Sequence, residues 1–284
     1  MTQRILVVLD PDSDTPVATD TAIDIARRHG GEVTGLAFFD RDSIGADTVG
    51  SGIGSYYYAE KLRKTLTDET RQRATELLAE FIERVEAAGV RHSGDRIGED
   101  SLVRSLLSEM RTHDLLVAGR ESHFYYAEPE HRTHTLAKVL EDGAAPMLIV
   151  GGEATEIRRV AVAYDGSAPA SRTLKKFAHL RPFGTDLDVE VVHVRGGSNE
   201  DRLESDRLRE DAASYLRAHG FGRVTTTGIE SRDPAESISG LAQGDRADLV
   251  VSGAYAKKGL RKLVFGSSAT KLLDQAKVPL FLYH

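Results

Sequence analysis

Asp248-Leu249-Val250-Val251-Ser252 is a short apolar run that reads as a buried strand, and it leads into Gly253-Ala254-Tyr255-Ala256. After nine more residues come Gly266-Ser267-Ser268, a helical stretch from Ala269 to Ala276, and then Val278-Pro279-Leu280-Phe281-Leu282-Tyr283. A glycine where a strand ends lets backbone approach a ligand with no Cβ in the way. A Gly-Ser pair opening a helix leaves unbonded backbone N–H groups, hydroxyls and the positive end of the helix dipole converging on one point. Such a point is an anion site, and phosphate is the usual anion.

The stretch has a counterpart earlier in the chain. Asp114-Leu115-Leu116-Val117-Ala118-Gly119 aligns with Asp248 to Gly253, and Ala145-Pro146-Met147-Leu148-Ile149-Val150 with Val278 to Tyr283. Further out, Arg4-Ile5-Leu6-Val7-Val8-Leu9-Asp10 aligns with Arg159-Val160-Ala161-Val162-Ala163-Tyr164-Asp165. The offset is 155 at the Arg4–Arg159 pair and 134 at the Asp114–Asp248 pair, so the first copy carries 21 extra residues between them. The unmatched stretch is 40–67, with Gly45, Gly50, Gly52 and Gly54 followed by Tyr56-Tyr57-Tyr58. Its glycines predict an irregular loop; the three tyrosines are either a ligand lid or partner patch, or simply part of that loop.

Each copy reads as five strands alternating with four helices. The strands are predicted at 4–9, 32–38, 91–97, 114–118 and 147–150, then at 159–164, 188–194, 223–229, 248–252 and 280–283. The helices are predicted at 16–29, 60–88, 100–111 and 134–142, then at 169–180, 200–219, 234–243 and 267–276. Continuous apolar strands between amphipathic helices imply a parallel sheet covered on both faces, and right-handed crossovers make it doubly wound. The expected fold is therefore α/β, with two tandem Rossmann-like domains at 1–151 and 157–284 joined by the linker Gly151-Gly152-Glu153-Ala154-Thr155. The last strand of each domain follows a proline, which marks a sheet edge. An apolar edge is normally covered, so the two closing strands are expected to pair antiparallel with each other in an intramolecular pseudo-dimer. A homodimer is also compatible with the pattern.

Length and composition agree with two domains. The 284 residues suit two units of ordinary size, and 40% hydrophobic residues can fill a core in each. With 29% charged residues the chain is not of the disordered class. No apolar run reaches the roughly 18 residues of a membrane helix, so no membrane partner is expected. The first residues enter a strand at once, leaving no room for a signal peptide, and the cytoplasm is the expected compartment. There is no cysteine, which excludes disulfides and thiol chemistry. A net charge of −7 argues against nucleic acid as a partner.

The chain resembles the universal stress protein family over nearly its whole length. That family's phosphate segment runs Gly, two residues, Gly, nine residues, Gly-Ser or Gly-Thr; Gly253, Gly266 and Ser267 fall in register, and Ala256 stands at the second glycine. Val162-Ala163-Tyr164-Asp165-Gly166-Ser167, His193-Val194 and Asp233-Pro234-Ala235-Glu236-Ser237-Ile238 also match, in order and at the family's spacings. The resemblance implies ATP, with or without magnesium, bound in the second domain. Asp165 would sit by the ribose or adenine and Val194 against the adenine, while Gly253, Ala256, Gly266, Ser267 and Ser268 would form the phosphate segment. Ligands of open doubly wound sheets bind beyond the strand carboxyl ends where strand order reverses. In the family's strand order that point lies between the first and fourth strands, next to Asp165 and Gly253. Lys257, Lys258, Arg261 and Lys262 are either a basic lip for polyphosphate or a solvated loop.

The first domain keeps Gly119, but His131-Arg132-Thr133-His134 stands where the second has Gly266-Ser267, after a bulky loop that contains Glu128 and Glu130. Acidic side chains repel phosphate, so this half is expected to hold no nucleotide. His123, His131 and His134 lack the ligand spacing of a zinc site, and no metal is expected there. No catalytic residue is assigned. The readings are a non-catalytic adenine-nucleotide sensor that acts through unidentified protein partners, a slow ATPase, and a nucleotide-free scaffold. Neither a His-x-Gly-His nor a Ser-Gly-Gly-x-Asp motif is present to support nucleotidyl transfer or pyrophosphatase chemistry.

Overall fold

Asp114 and Asp248, the repeated aspartates that precede the fourth strand of each copy, hold their sheets together in the same way. The Oδ2 of Asp114 accepts from the backbone N–H groups of Gln3 and Arg4 at 2.8 and 3.1 Å. The Oδ2 of Asp248 accepts from those of Arg158 and Arg159 at 3.1 and 2.7 Å. In a computed structural model the protein is described at residues 2–38, 53–98, 102–120, 136, 138–153, 155–243, 246–254, 272–273 and 275–284.

The first half contains β1 (Arg4–Leu9), α1 (Thr15–His29), β2 (Glu32–Phe38), α2 (Ile53–Ala87), β3 (Arg91–His92), β4 (Arg96–Gly98), α3 (Leu102–Glu109), β5 (Leu115–Gly119) and β6 (Met147–Val150). The second contains β7 (Arg159–Ala163), α4 (Ala168–Leu180), β8 (Asp188–Arg195), α5 (Asn199–Ala218), β9 (Arg223–Glu230), α6 (Pro234–Leu241), β10 (Leu249–Gly253) and β11 (Leu280–Tyr283). Residues 138–142, 272–273 and 275 are also helical. Cap chemistry sets several boundaries. Ser167 caps α4 by accepting from the Ala170 N–H, with a proline in the first turn. Ser198 and Asp201 form a reciprocal capping box on α5. α1 stops at Gly30, which is left-handed at φ 65°. α4 stops at Arg181, at φ 49° the one non-glycine with positive φ among the described residues.

The strands form one sheet in the order β3-β2-β1-β5-β6-β11-β10-β7-β8-β9, with β4 also on β2. Pairing is parallel within each half. The single antiparallel pair joins the halves, with Leu280, Phe281 and Leu282 opposite Ile149, Leu148 and Met147. The two proline-led edges thus cover each other at the centre of the sheet, as expected. The carbonyls of Pro146 and Pro279 each accept, from Leu116 and Val250 respectively, at 3.0 Å. One apolar layer packs α1, α2, α4 and α5 on one face of the sheet. A second layer packs α3, α6 and the helical residues near Leu140 and Leu272 on the other.

Two expectations need correction. The strand predicted at 91–97 is two short pieces, β3 and β4. Gly94 lies between them at φ 69°, and the Oδ1 of Asp95 accepts from the Gly35 N–H at 2.8 Å, taking a place the strand backbone would otherwise fill. The 40–67 stretch is not all loop, because α2 begins at Ile53 and carries Tyr56-Tyr57-Tyr58 in helix. Seven of the eight residues from Ala59 to Leu66, all but Thr65, are strong helix formers, and one glycine at 54 costs only about 1 kcal/mol against them. Residues 40–52 lie outside the described residues.

Candidate functional site

β7 and β10 run side by side and parallel, with Ala163 opposite Ser252. Asp165 and Gly253 therefore emerge at the same end of the sheet. β8 flanks β7 on its other side, with Val192 opposite Ala163, so Val194 ends at this face too. Strand order reverses between β7 and β10, and this is the crevice position of doubly wound folds. The structure thus brings Asp165, Val194 and Gly253 to one rim. Ala256, Gly266, Ser267 and Ser268 lie outside the described residues, as do Lys257, Lys258, Arg261 and Lys262.

Local chemistry shapes the rim. The Oδ1 of Asp165 accepts from the Ser167 N–H at 2.9 Å, a turn completed by Gly166 at φ 75°. Its side chain is at once a turn former and a carboxylate at the crevice mouth. Gly253 has a packing role of its own, because a Cβ there would stand 2.6 Å from the Ala170 nitrogen. The end of β10 thereby touches the first turn of α4. Behind the rim, the Tyr283 carbonyl accepts from the Ala254 N–H at 2.7 Å and from the Thr173 hydroxyl at 2.9 Å, tying β11 and α4 to β10.

The surroundings of His193, already matched in the sequence at the end of its strand, and the buried Arg209 were not found from sequence. His193 stands opposite Gly228 in the β8–β9 pair. The space left by Gly228 is taken by the guanidinium of Arg209, whose Nη2 lies 3.3 Å from where a Cβ would be. Arg209 is 8% exposed and bonds to Ser205, Thr226 and Asp206. The Nδ1 of His193 is buried and has no partner among the described residues. Burial holds the His193 pKa below the ordinary histidine value, and Arg209 adds to this, while Asp165 and Glu204 oppose it. An arginine inside a helix carries no sequence signal that separates it from a surface arginine.

The matching rim of the first half is strongly acidic. Asp10, Asp12 and Asp14 occupy the turn after β1, with Asp10 and Asp14 each 3% exposed. The Oδ1 of Asp12 accepts from the N–H groups of Asp14 and Thr15, both at 2.8 Å, and so caps α1. Asp14 accepts from the Gly152 N–H at 3.0 Å, and Gly119 abuts its Cβ. Burial, then the charge of Asp10, raises the pKa of Asp12 to about 6. The Asp-Pro-Asp-Ser-Asp pattern was visible in the sequence, but nothing there indicated that the carboxylates are buried. Glu128, Glu130, His123, His131 and His134 lie outside the described residues. Among the described residues no group of three or more metal-binding side chains comes together, and no helix is long and apolar enough to cross a membrane.

A sequence profile described as the universal stress protein family matches residues 1–126 and 156–284. The chain belongs to the universal stress protein family. It is similar to a universal stress protein of Synechocystis, 23% identical over 240 residues, which covers 82% of this chain and 80% of that protein. Among solved structures it resembles a universal stress protein of Archaeoglobus fulgidus, with a TM-score of 0.67 and 18% identity over 99% of this chain and 95% of the other. A second, from Pseudomonas aeruginosa, has a TM-score of 0.60 and 17% identity over 99% and 93% of the two chains. At these identities the structural likeness speaks to the fold.

Proposed function

We propose that the second half of this universal stress protein binds adenine nucleotide, ATP with or without magnesium, and that the protein acts as a non-catalytic regulator through protein partners. The observation that carries the reading is the convergence of Asp165, Val194 and Gly253 at the carboxyl ends of β7, β8 and β10, where strand order reverses. The adenine would lie by Val194 and the ribose by Asp165. The phosphates would lie toward Gly266, Ser267 and Ser268, with Ala256 in the same segment. The domains would run 1–151 and 157–284. The turn of three aspartates supports an empty first crevice, since a triphosphate would face carboxylates where the second half presents one. This observation also favours a scaffold role for the first half. No residue is assigned to hydrolysis.

The test is a thermal shift with ATP and magnesium. A ligand at 100 times its Kd stabilises the fold by about 2.7 kcal/mol. Gly266→Val should remove that shift by placing a branched side chain where phosphate would sit, and Ala256→Gly should enlarge it. A wild-type chain unmoved by millimolar ATP overturns the reading, and a shift unaffected by Gly266→Val places the nucleotide elsewhere.

A further inference from the structure

A groove of about 880 Å³ runs along the seam between the two halves, walled by α1, by the linker after β6 and by the segment that enters β8. Arg158, Asp188 and Arg223 place it at the starting ends of β7, β8 and β9. Because those strands are parallel, this is the opposite end from Asp165, Val194 and Gly253. The groove is independent of the nucleotide reading.

Its charge is lopsided. Asp20, Asp24, Glu153, Glu156, Asp186 and Asp188 line it, against the three guanidiniums of Arg28, Arg158 and Arg223. Two of those cations are already engaged. Arg158 pairs with Glu156 at 2.6 Å, while Arg223 pairs with Asp186 at 2.6 Å and also with Asp188. Asp20 is held from outside by Arg84 of α2 at 2.6 Å. Asp24 and Glu153 make no ion pair among the described residues, and they face the groove from α1 and from the linker. The floor is apolar. Ile157 and Phe183 are half-buried against the core layer and remain partly open to the groove.

We propose that this groove docks a basic peptide segment of a partner protein, with Lys or Arg heads on Asp24 and Glu153 and aliphatic side chains on Ile157 and Phe183. The negative excess selects a cation: Arg158 and Arg223 are engaged by carboxylates, which leaves the Arg28 guanidinium alone against Asp24 and Glu153. Long basic side chains lay their stems on apolar surface while keeping their charge at a polar rim, which is the pattern of this floor and wall. A cavity of this size matches an extended ligand better than a single ion. Both halves and the linker supply walls, so an occupant would bridge the seam held by β6 and β11.

The full chain can be titrated with a short labelled peptide of alternating Lys and Leu, read by fluorescence anisotropy at low salt. Binding is expected, with roughly tenfold weakening in Asp24→Asn/Glu153→Gln. Asp68→Asn/Glu69→Gln removes the same charge from an exposed part of α2, about 24 Å along that helix from Arg84, and should leave the affinity within about twofold. A Ser-Leu peptide should not bind. Equal weakening in both double variants would mean attraction to overall negative charge and would overturn the docking site. Absence of binding to the wild type would do the same. Equally tight binding of spermine, with the same variant dependence, would overturn the peptide assignment in favour of a small polycation.

Discussion

A Cβ placed on Gly253 would stand 2.6 Å from the backbone nitrogen of Ala170 and 2.8 Å from the carbonyl carbon of Pro169. The glycine at the end of β10 therefore has a structural duty that any ligand-binding role is added to. Gly253→Ala should push α4 off the sheet and cost about 1–3 kcal/mol, as overpacking does. Urea unfolding of the nucleotide-free protein measures this. An unchanged midpoint would mean the helix yields at no cost, leaving ligand approach as the only reason for the glycine.

Arg181 ends α4 at φ 49°, where the equivalent end of α1 has Gly30 at φ 65°. Its carbonyl lies 3.0 Å from the Nε2 of His29, one of the contacts between the halves. Arg181→Gly removes the left-handed strain and keeps that carbonyl. It should stabilise the chain by up to about 1 kcal/mol, the strain relief being partly offset by the backbone entropy of glycine. A lower urea midpoint would show that the arginine side chain contributes more than its backbone costs.

Asp12 has its pKa raised to about 6 by burial and by Asp10. The folded state holds a proton that the unfolded chain has already released above about pH 4. This contribution to stability is full below that value and is lost as pH rises through about 6. Asp12→Asn keeps the Oδ1 that caps α1 and removes the titration. The variant should therefore be flatter than wild type between pH 4 and 7 in urea unfolding, and more stable at pH 7. Parallel pH profiles for the two proteins would contradict the burial of this carboxylate.

Leu148 stands opposite Phe281 in the β6–β11 pair, and both are fully buried. The Phe281 ring packs edge-on against Phe177 with centroids 5.5 Å apart. Phe281→Ala should cost about 3–5 kcal/mol. Because the seam lies within one continuous sheet, Leu148→Ala in the first half should lower hydrogen-exchange protection in β10 as well as β5. Loss confined to β5 would show that the halves unfold separately.

Much of this protein can be read from periodicity. Apolar strands ending in aspartate or glycine recur twice, and nearly all of them appear in the structure within a residue or two of their predicted bounds. This works because a parallel strand buried on both faces must be apolar throughout, and because its helices carry local caps such as Ser167 and Ser198. Pairing of the two closing strands was also legible, since a proline-led apolar edge cannot be left open to water. Other features depend on distances between residues far apart in the chain. Asp95 interrupts a strand by bonding to Gly35, sixty residues away. Arg209 is buried because Gly228 leaves room for it, and the pKa of Asp12 is raised because the core, and then Asp10, surround it. The seam groove exists only where α1 meets the linker and the entry to β8. Sequence determined the alternation, the repeat and the pairing of the two closing strands within one sheet. Tertiary structure alone decided which charges are buried and which face each other, because solvation and Coulomb energy depend on surroundings that no local pattern encodes.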